Sequence, residues 1–328
     1  MNVSSRPKCA PVVVFIYKRP NTTALVMEAV RRAEPSQLFI VADGPKSKEE
    51  TGACASARQV AESTANCPTT LIYSETNLGL CRRIKSGLDC VFREVDQAII
   101  LEDDCVPTAS FFDSCSQLLG ELNDDPRIFQ IGGFNYAPQL RYADHEFIVS
   151  KYCLIWGWAT WRRSWLRYRS LIGDSIPPSM PETVKAYCQD PVENAYWSGV
   201  FGAIQSGRLS DWAAEWMLAC WLEGGLSLLP RVPLVSNVGF DSSATHTTGT
   251  RPYWVGEREE LRGCNLPSPM VRDMDAERVI FDHIFGGWYS KEPLFWRLMF
   301  HHANRLFNLS RGDPSGWASS PAERMVKK

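Results

Sequence analysis

No stretch of this chain is long and apolar enough to cross a membrane, since a helical span takes about 18 to 20 apolar residues in a row and the first run, PVVVFIY, stops at Lys18-Arg19. The same run is too short for the apolar segment of a signal peptide. Neither sign of charge is in excess. The chain sets 35 Lys and Arg against 37 Asp and Glu, a net charge of -2, and so lacks the basic footprint that nucleic acid calls for. The 11 cysteines form no CxxC pair and no Cys/His cluster at zinc spacing; they are expected to be reduced, mostly buried thiols of a cytoplasmic protein. A luminal catalytic fragment freed of its anchor has the same composition. Internal repeats and low-complexity tracts are absent. So are both common phosphate loops: the turn after the first apolar run is Lys18-Arg19-Pro20-Asn21, with no GxGxxG, and no GxxxxGK[ST] occurs. A nucleotide, if bound, must be held by a metal and side chains.

What is present is an ordinary globular composition, 45% hydrophobic and 22% charged over 328 residues, enough for one large domain or two modest ones. Residues 11–17, 38–42, 70–73, 98–101 and 128–131 read as short apolar strands. Helical patterns lie between them, to about residue 32, over 46–64, over 80–93 and over 111–122. This alternation predicts an α/β fold, with right-handed crossovers and a mainly parallel sheet flanked by helices. None of the 12 tryptophans precedes Trp156, yet nine fall between Trp156 and Trp254, which marks a second region. The expected organisation is an α/β half over 1–135, a second half of the same domain over 136–255, and a helical C-terminal extension over 256–328. Within the second region a helix is expected to about 222 and a strand over 226–229.

The chain is organised around Ala98-Ile99-Ile100-Leu101-Glu102-Asp103-Asp104, a buried strand running into three carboxylates. Strands of an open α/β sheet deliver the residues at their C-terminal ends to the ligand crevice. Three crowded acids need a cation or solvent to absorb their charge. Mg2+ or Mn2+ suits them, because such ions take one or two carboxylates while phosphate oxygens and waters complete the shell. The plainer reading is a solvated turn whose acids cap the next helix.

Taken in order, VVVFIYKR, ADG, TNLGLCRRIKSG, IILEDDCVPTASFF, WGWATWRRSW and SNVGFDSSATHT resemble bacterial glycosyltransferases of the GT-A fold. These are similar in turn to the eukaryotic N-acetylglucosaminyltransferase I family, which shares an EDD triplet at this position. The resemblance spans about residues 12–247. It implies a metal-dependent enzyme using a nucleoside-diphosphate sugar, usually a UDP-sugar, with a DXD-like acidic motif. By the same resemblance, Asp104 ligates Mn2+ or Mg2+ directly, while Asp103 and Glu102 contact ribose or the metal's waters. Tyr17, Arg19, Asp43 and Arg83 correspond to base and ribose contacts, although Arg19 and Arg83 also read as solvated arginines and Asp43 as a turn residue in Asp43-Gly44-Pro45.

Transfer to a hydroxyl needs a carboxylate to take its proton. Glu215 aligns with the family's base. Asp211 is the second candidate, four residues before Glu215 and on the same face if the segment is helical; the chain departs here from close bacterial relatives, which are expected to be less acidic near this place, and both acids also suit a plain helix N-terminus. His246 follows a small-residue loop suited to closing over a diphosphate and could ligate the metal or donate to phosphate, with Ser242 and Ser243 as weaker phosphate donors. Trp156 and Trp158 flank a glycine, as an aromatic platform for the acceptor sugar or as core. The aromatic and basic run over 285–307 suits peripheral contact with a membrane's inner face, useful for a lipid-linked acceptor, or packing on its own domain. The expected function is inverting transfer of a hexose or N-acetylhexosamine to a glycan or lipid-linked acceptor, as in surface polysaccharide synthesis. The alternatives are a catalytically silent nucleotide-sugar or glycan-binding protein and a sugar nucleotidyltransferase.

Overall fold

The computed structural model describes residues 9–135, 145–173, 175–239 and 257–287. Ser242, Ser243, His246 and residues 288–307 lie outside them. Four parallel strands, β1 (Val12–Ile16), β2 (Leu38–Ala42), β3 (Thr69–Tyr73) and β4 (Gln97–Glu102), are joined by α1 (Pro20–Ala33), α2 (Thr51–Thr64) and α3 (Leu80–Glu94). A short strand, β5 (Cys105–Pro107), and α4 (Ala109–Glu121) lead into β6 (Ile128–Gly132). The sheet continues through β7 (Phe147–Ser150), β8 (Trp158–Trp161) and β9 (Leu226–Pro230), in the order β3-β2-β1-β4-β8-β6-β9-β7. All strands of this sheet but β7 and β8 point the same way. The expected α/β architecture, a mainly parallel sheet flanked by helices, is present.

Both faces of the sheet are covered, which is why its strands read as unbroken apolar runs. Val13, Phe15, Phe39, Val41 and Ile100 pack with Ile84, Leu88 and Val91 of α3 on one face, whereas Val12, Val14, Ile40, Ile99 and Leu101 pack with Val26, Met27 and Val30 of α1 and Phe111 and Leu118 of α4 on the other. Each such side chain contributes about 1.5–3 kcal/mol when fully buried. In α3 the apolar residues recur one turn apart along one stripe. Gly87 brings that stripe against the sheet, for a Cβ there would lie 2.7 Å from Val41 and 2.8 Å from Phe15.

The tryptophan-rich sequence completes this body. β8 sits between β4 and β6, antiparallel to both, so WGWATW contains a central strand that the sequence pattern does not announce. After it come α5 (Arg162–Ile172), α6 (Met180–Tyr187), α7 (Pro191–Gln205) and α8 (Trp212–Leu222). Their indoles fill the core on the α3 face, and three buried indole N–H groups find acceptors, whereas that of Trp197 in α7 has none among the described residues. Trp165 donates to Asp89 at 2.9 Å, Trp216 to Gln130 at 2.7 Å and Trp221 to the Lys151 carbonyl at 2.8 Å.

A separate antiparallel pairing joins β10 (Val235–Asn237) to β5. Residues 257–273 return across the sheet, with the Leu261 amide donating to Ser110 Oγ at 2.9 Å and Arg272 bridging to Val149 at the β7 edge. The last described element is α9 (Met274–Ile284). Its Glu277 accepts from the Lys151 amide at 2.6 Å and pairs with Arg272 at 2.6 Å. All 11 cysteines are free thiols, six of them buried. Among the described residues no helix is long and apolar enough to cross a membrane.

Candidate active site

The ends of β1, β2 and β4 meet in one crevice. Register places Phe15 beside Glu102 and Ile16 beside Ala42, so the residues that come after each strand are neighbours. The Tyr17 amide donates to Asp103 Oδ2 at 3.2 Å. Arg19, just before α1, bridges the acids with one nitrogen: Nη2 donates to Asp103 Oδ1 and to Asp104 Oδ2, the latter at 2.9 Å. Asp104 is also held from behind, because the Val238 amide donates to its carbonyl at 2.8 Å. A Cβ on Gly239 would overlap Asp104 Oδ2 and lie 2.6 Å from Arg19 Nη1. The chain therefore enters residues 240–256, which carry Ser242, Ser243 and His246, directly at the acidic turn.

Burial dominates the electrostatics. It pushes Glu102 up to about 8, helped by the charges of Asp104 and Asp103. Burial likewise raises Asp103 to about 6 against the opposing charge of Arg19. Burial works against the Arg19 charge, but Asp103 and Asp104 more than offset it and hold the guanidinium above its ordinary range. Three acids thus face one guanidinium. Their oxygen donors and surplus negative charge fit a hard divalent cation. Among the described residues no three His, Cys, Asp or Glu side chains surround a metal position by themselves.

The residues expected to contact base and ribose are engaged differently from expectation. Asp43, at the end of β2, accepts from the Gly44 and Leu78 amides at 2.9 Å each, from the Gly79 amide at 3.0 Å and from Asn77 Nδ2 at 3.1 Å. A carboxylate has about four acceptor positions, so Asp43 spends them shaping the loop that starts α3. Gly44 is required there, because a Cβ would come within 2.7 Å of the Glu75 backbone. Tyr17 turns its hydroxyl to Glu50, which also pairs with Lys18 at 2.6 Å. Arg83, in the first turn of α3, is 6% exposed and its side chain has no hydrogen-bond partner among the described residues, with Nε fully sequestered. Burial pushes its pKa down, opposed by the Asp43 charge.

On the far side of α3, Glu215 lies in the first turn of α8, 9% exposed. It accepts from Tyr168 of α5 at 2.9 Å and pairs with Lys85 of α3 at 2.6 Å. Asp211 is the N-cap of α8, accepting from the Ala213 and Ala214 amides at 3.0 and 3.1 Å. The helix-terminus reading therefore holds for Asp211, and its carboxylate is committed to the backbone. The two tryptophans also separate. Trp158 is 1% exposed and packs on Trp212 and Trp216, which corrects its reading as an acceptor platform. Trp156 is only partly buried, edge-on to Phe134.

Lys85, Tyr168 and Asn77 do not stand out in the sequence. Lys85 and Tyr168 reach Glu215 from far along the chain, Tyr168 from 47 residues away and Lys85 from farther still, and no local pattern announces a pairing of that kind. Asn77 stands in the TNLGL motif and is detectable as a turn residue.

No family model matches the chain, and no curated protein matches it; the likeness to the N-acetylglucosaminyltransferase I family thus has no support at sequence level. Solved structures that it resembles include a mannosyltransferase from Pyrobaculum calidifontis in complex with GDP-Man and Mn2+, at 13% identity and a TM-score of 0.38, covering 65% of this chain and 69% of that one. Another is 4-diphosphocytidyl-2C-methyl-D-erythritol synthase from Anaerococcus prevotii, at 8% identity and a TM-score of 0.31, covering 51% and 78%. A third is a UDP-glucose pyrophosphorylase complexed with UDP-glucose, at 11% identity and a TM-score of 0.24, covering 43% and 63%. Likenesses this distant assign no activity to the chain.

Proposed function

We propose that the chain is a divalent-cation-dependent glycosyltransferase of the GT-A type that moves a sugar from a nucleoside-diphosphate sugar, with UDP as the expected nucleotide, to a hydroxyl of a glycan or lipid-linked acceptor with inversion. The observation that carries the reading is the acidic turn at the end of β4, where Asp103 and Asp104 share one guanidinium beside a third acid, Glu102, at the strand ends where open α/β sheets bind ligands.

Asp104 and Asp103 would hold Mn2+ or Mg2+, which when bound offsets the charge of the departing diphosphate as a Lewis acid. Arg83, buried without a partner among the described residues, supplies a fixed positive charge on the donor side. Asp43 sets the loop from 74 to 79 that walls the nucleoside pocket. Glu215 takes the acceptor's proton as the hydroxyl attacks the anomeric carbon from the face opposite the leaving group, which gives inversion in a single displacement. Trp156 offers the acceptor sugar an aromatic face, and Ser242, Ser243 and His246, in the stretch that follows Gly239 in the chain, are the candidate donors to phosphate or metal.

The test is release of UDP from a panel of UDP-sugars with and without Mn2+, in the native protein and in Asp104→Ala. Mn2+-dependent release that vanishes in the variant supports the proposal. Tight UDP binding with no sugar released under any condition points to a silent binding protein. Pyrophosphate formed from UTP and a sugar phosphate points to a nucleotidyltransferase. Either of these outcomes rejects the proposal.

A further inference from the structure

Glu215 is gripped asymmetrically. Lys85 Nζ lies 2.6 Å from Oε2 and the Tyr168 hydroxyl donates to the same oxygen at 2.9 Å, whereas Oε1 receives no hydrogen bond from any described residue. The three side chains come from three helices, α3, α5 and α8, and are largely shielded, the Lys85 side chain being 21% exposed and that of Glu215 11%. A hydrogen bond and an ion pair on the same oxygen restrain the rotamer. They leave the second oxygen with its lone pairs available.

Lys85 also belongs to the helix whose start is set by Asp43. The Leu78 and Gly79 amides both donate to that carboxylate, and Gly79 is the N-cap of α3. The helix that runs from the nucleoside pocket thus carries, one and a half turns in, the ammonium that holds Glu215. A salt bridge kept only for stability would not need a second donor on the same oxygen, and α3 already has its apolar stripe of Ile84, Leu88 and Val91 to hold it on the sheet.

We infer that Lys85 is a positioning residue for the transfer reaction: with Tyr168 it clamps Oε2 of Glu215 so that Oε1 is presented to the acceptor hydroxyl, and it ties that placement to the donor pocket through α3. The inference rests on the reading of Glu215 as the base. A misplaced base costs rate at the chemical step, because proton transfer needs heavy atoms within hydrogen-bond reach, and leaves donor binding alone.

The experiment compares Lys85→Met, Lys85→Arg, Tyr168→Phe and Glu215→Gln for kcat, donor KM and calorimetric UDP binding with Mn2+. Glu215→Gln is expected to abolish transfer while UDP binding persists. Lys85→Met is expected to lower kcat about 10- to 100-fold at unchanged donor KM, part of the roughly 100- to 10,000-fold that a general base contributes, and Lys85→Arg to recover most of the loss. In the Glu215→Gln background Lys85→Met should add nothing, since residues acting as a unit are non-additive. Native kcat in a folded Lys85→Met protein, with Glu215→Gln inactive, overturns the inference and leaves the base reading standing. Full transfer by Glu215→Gln overturns the base reading itself. Should Lys85→Met fail to fold, Tyr168→Phe decides: it removes one of the two donors and keeps the ion pair. A kcat lowered about 2- to 10-fold at constant donor KM, the scale of one hydrogen bond, supports the clamp, and an unchanged kcat overturns it.

Discussion

Replacing Arg19 with Gln tests the acidic turn without any assay of activity. In the native chain one guanidinium serves two carboxylates, and all three side chains are shielded, at 13% exposure for Arg19, 5% for Asp103 and 11% for Asp104. Glutamine keeps much of the length and removes the charge. Breaking a buried pair from one side costs about 3–5 kcal/mol, since the partner's charge stays buried; two acids are orphaned here, but protonation of Asp103, already raised to about 6 by burial, takes up part of the strain. A loss near 3 kcal/mol is therefore expected. At about 2 °C per kcal/mol for a chain of this size, the melting temperature falls about 6 °C. Adding Mn2+ should then raise the variant's melting temperature more than the native protein's, because a cation enters a site with no guanidinium competing for it; saturation at 100 times Kd stabilises by about 2.7 kcal/mol. Differential scanning calorimetry at pH 7.5 reads both effects, with Arg31→Gln, which breaks an exposed pair with Glu28, as a control expected to melt like the native protein. A variant melting within about 1 °C of the native protein, or an equal Mn2+ shift in both, refutes the account of Arg19 as the counter-charge of a cation site.

Trp158→Ala should cost about 3–5 kcal/mol, the scale of a fully buried large aromatic, because its indole lies at 1% exposure among Trp212 and Trp216. Trp156→Ala should cost less than that, because its indole is only partly buried although it packs on Phe134 and both core clusters, and should raise acceptor KM; equal destabilisation of the two would remove the distinction. Asp211→Ala loses the cap of α8 and about 1 kcal/mol of stability while kcat stays native, and a collapse of kcat would return Asp211 to candidacy as base. Gly239→Ala forces a methyl onto Asp104 Oδ2 and should weaken Mn2+-dependent UDP binding at least tenfold in calorimetry, the equivalent of about 1.4 kcal/mol; native affinity would show that the segment moves freely. Glu260 ties the returning chain to the start of α4 by accepting from the Ser110 and Ala109 amides at 2.8 and 3.3 Å. Burial pushes its pKa up, but the hydrogen bonds from Ser110 and Ala109 bring it below the ordinary value. Its contribution is therefore present above the unfolded carboxylate range and lost as pH falls through the folded value. Glu260→Gln should be less stable than the native protein at pH 7 and indistinguishable from it near pH 3 in denaturant melts, and a gap that persists at pH 3 would refute the ionic origin.

The sequence carried what repeats along the chain and hid what crosses it. β1, β2, β4 and β6 were legible because a strand buried on both faces has to be continuously apolar, and α3 because its stripe repeats every turn. The acidic turn was legible for the same local reason, being three carboxylates in a row at a strand end. β8 was not, because WGWATW carries a glycine and indoles where a central strand usually shows branched aliphatics, so its aromatic character suggested ligand contact; only the neighbours Trp212 and Trp216, far along the chain, reveal it as core. The charges illustrate the same division. That Glu102, Asp103 and Asp104 need a counter-charge is evident from the triplet alone, whereas that Arg19 supplies one depends on β1 and β4 lying side by side. Glu215 could be singled out by its place before Trp216, yet its partners Lys85 and Tyr168 arrive from two other helices, and they decide which of its oxygens is left for chemistry. Local pattern thus locates the chemically costly residues, and the fold determines how each cost is met. A search for function in such a chain gains most from asking, of each acid the sequence exposes, which cation the sheet order brings to it: Arg19 for the triplet, Lys85 for Glu215, and for Arg83 the inverse question, since among the described residues it is a buried cation with no hydrogen-bonded anion of its own.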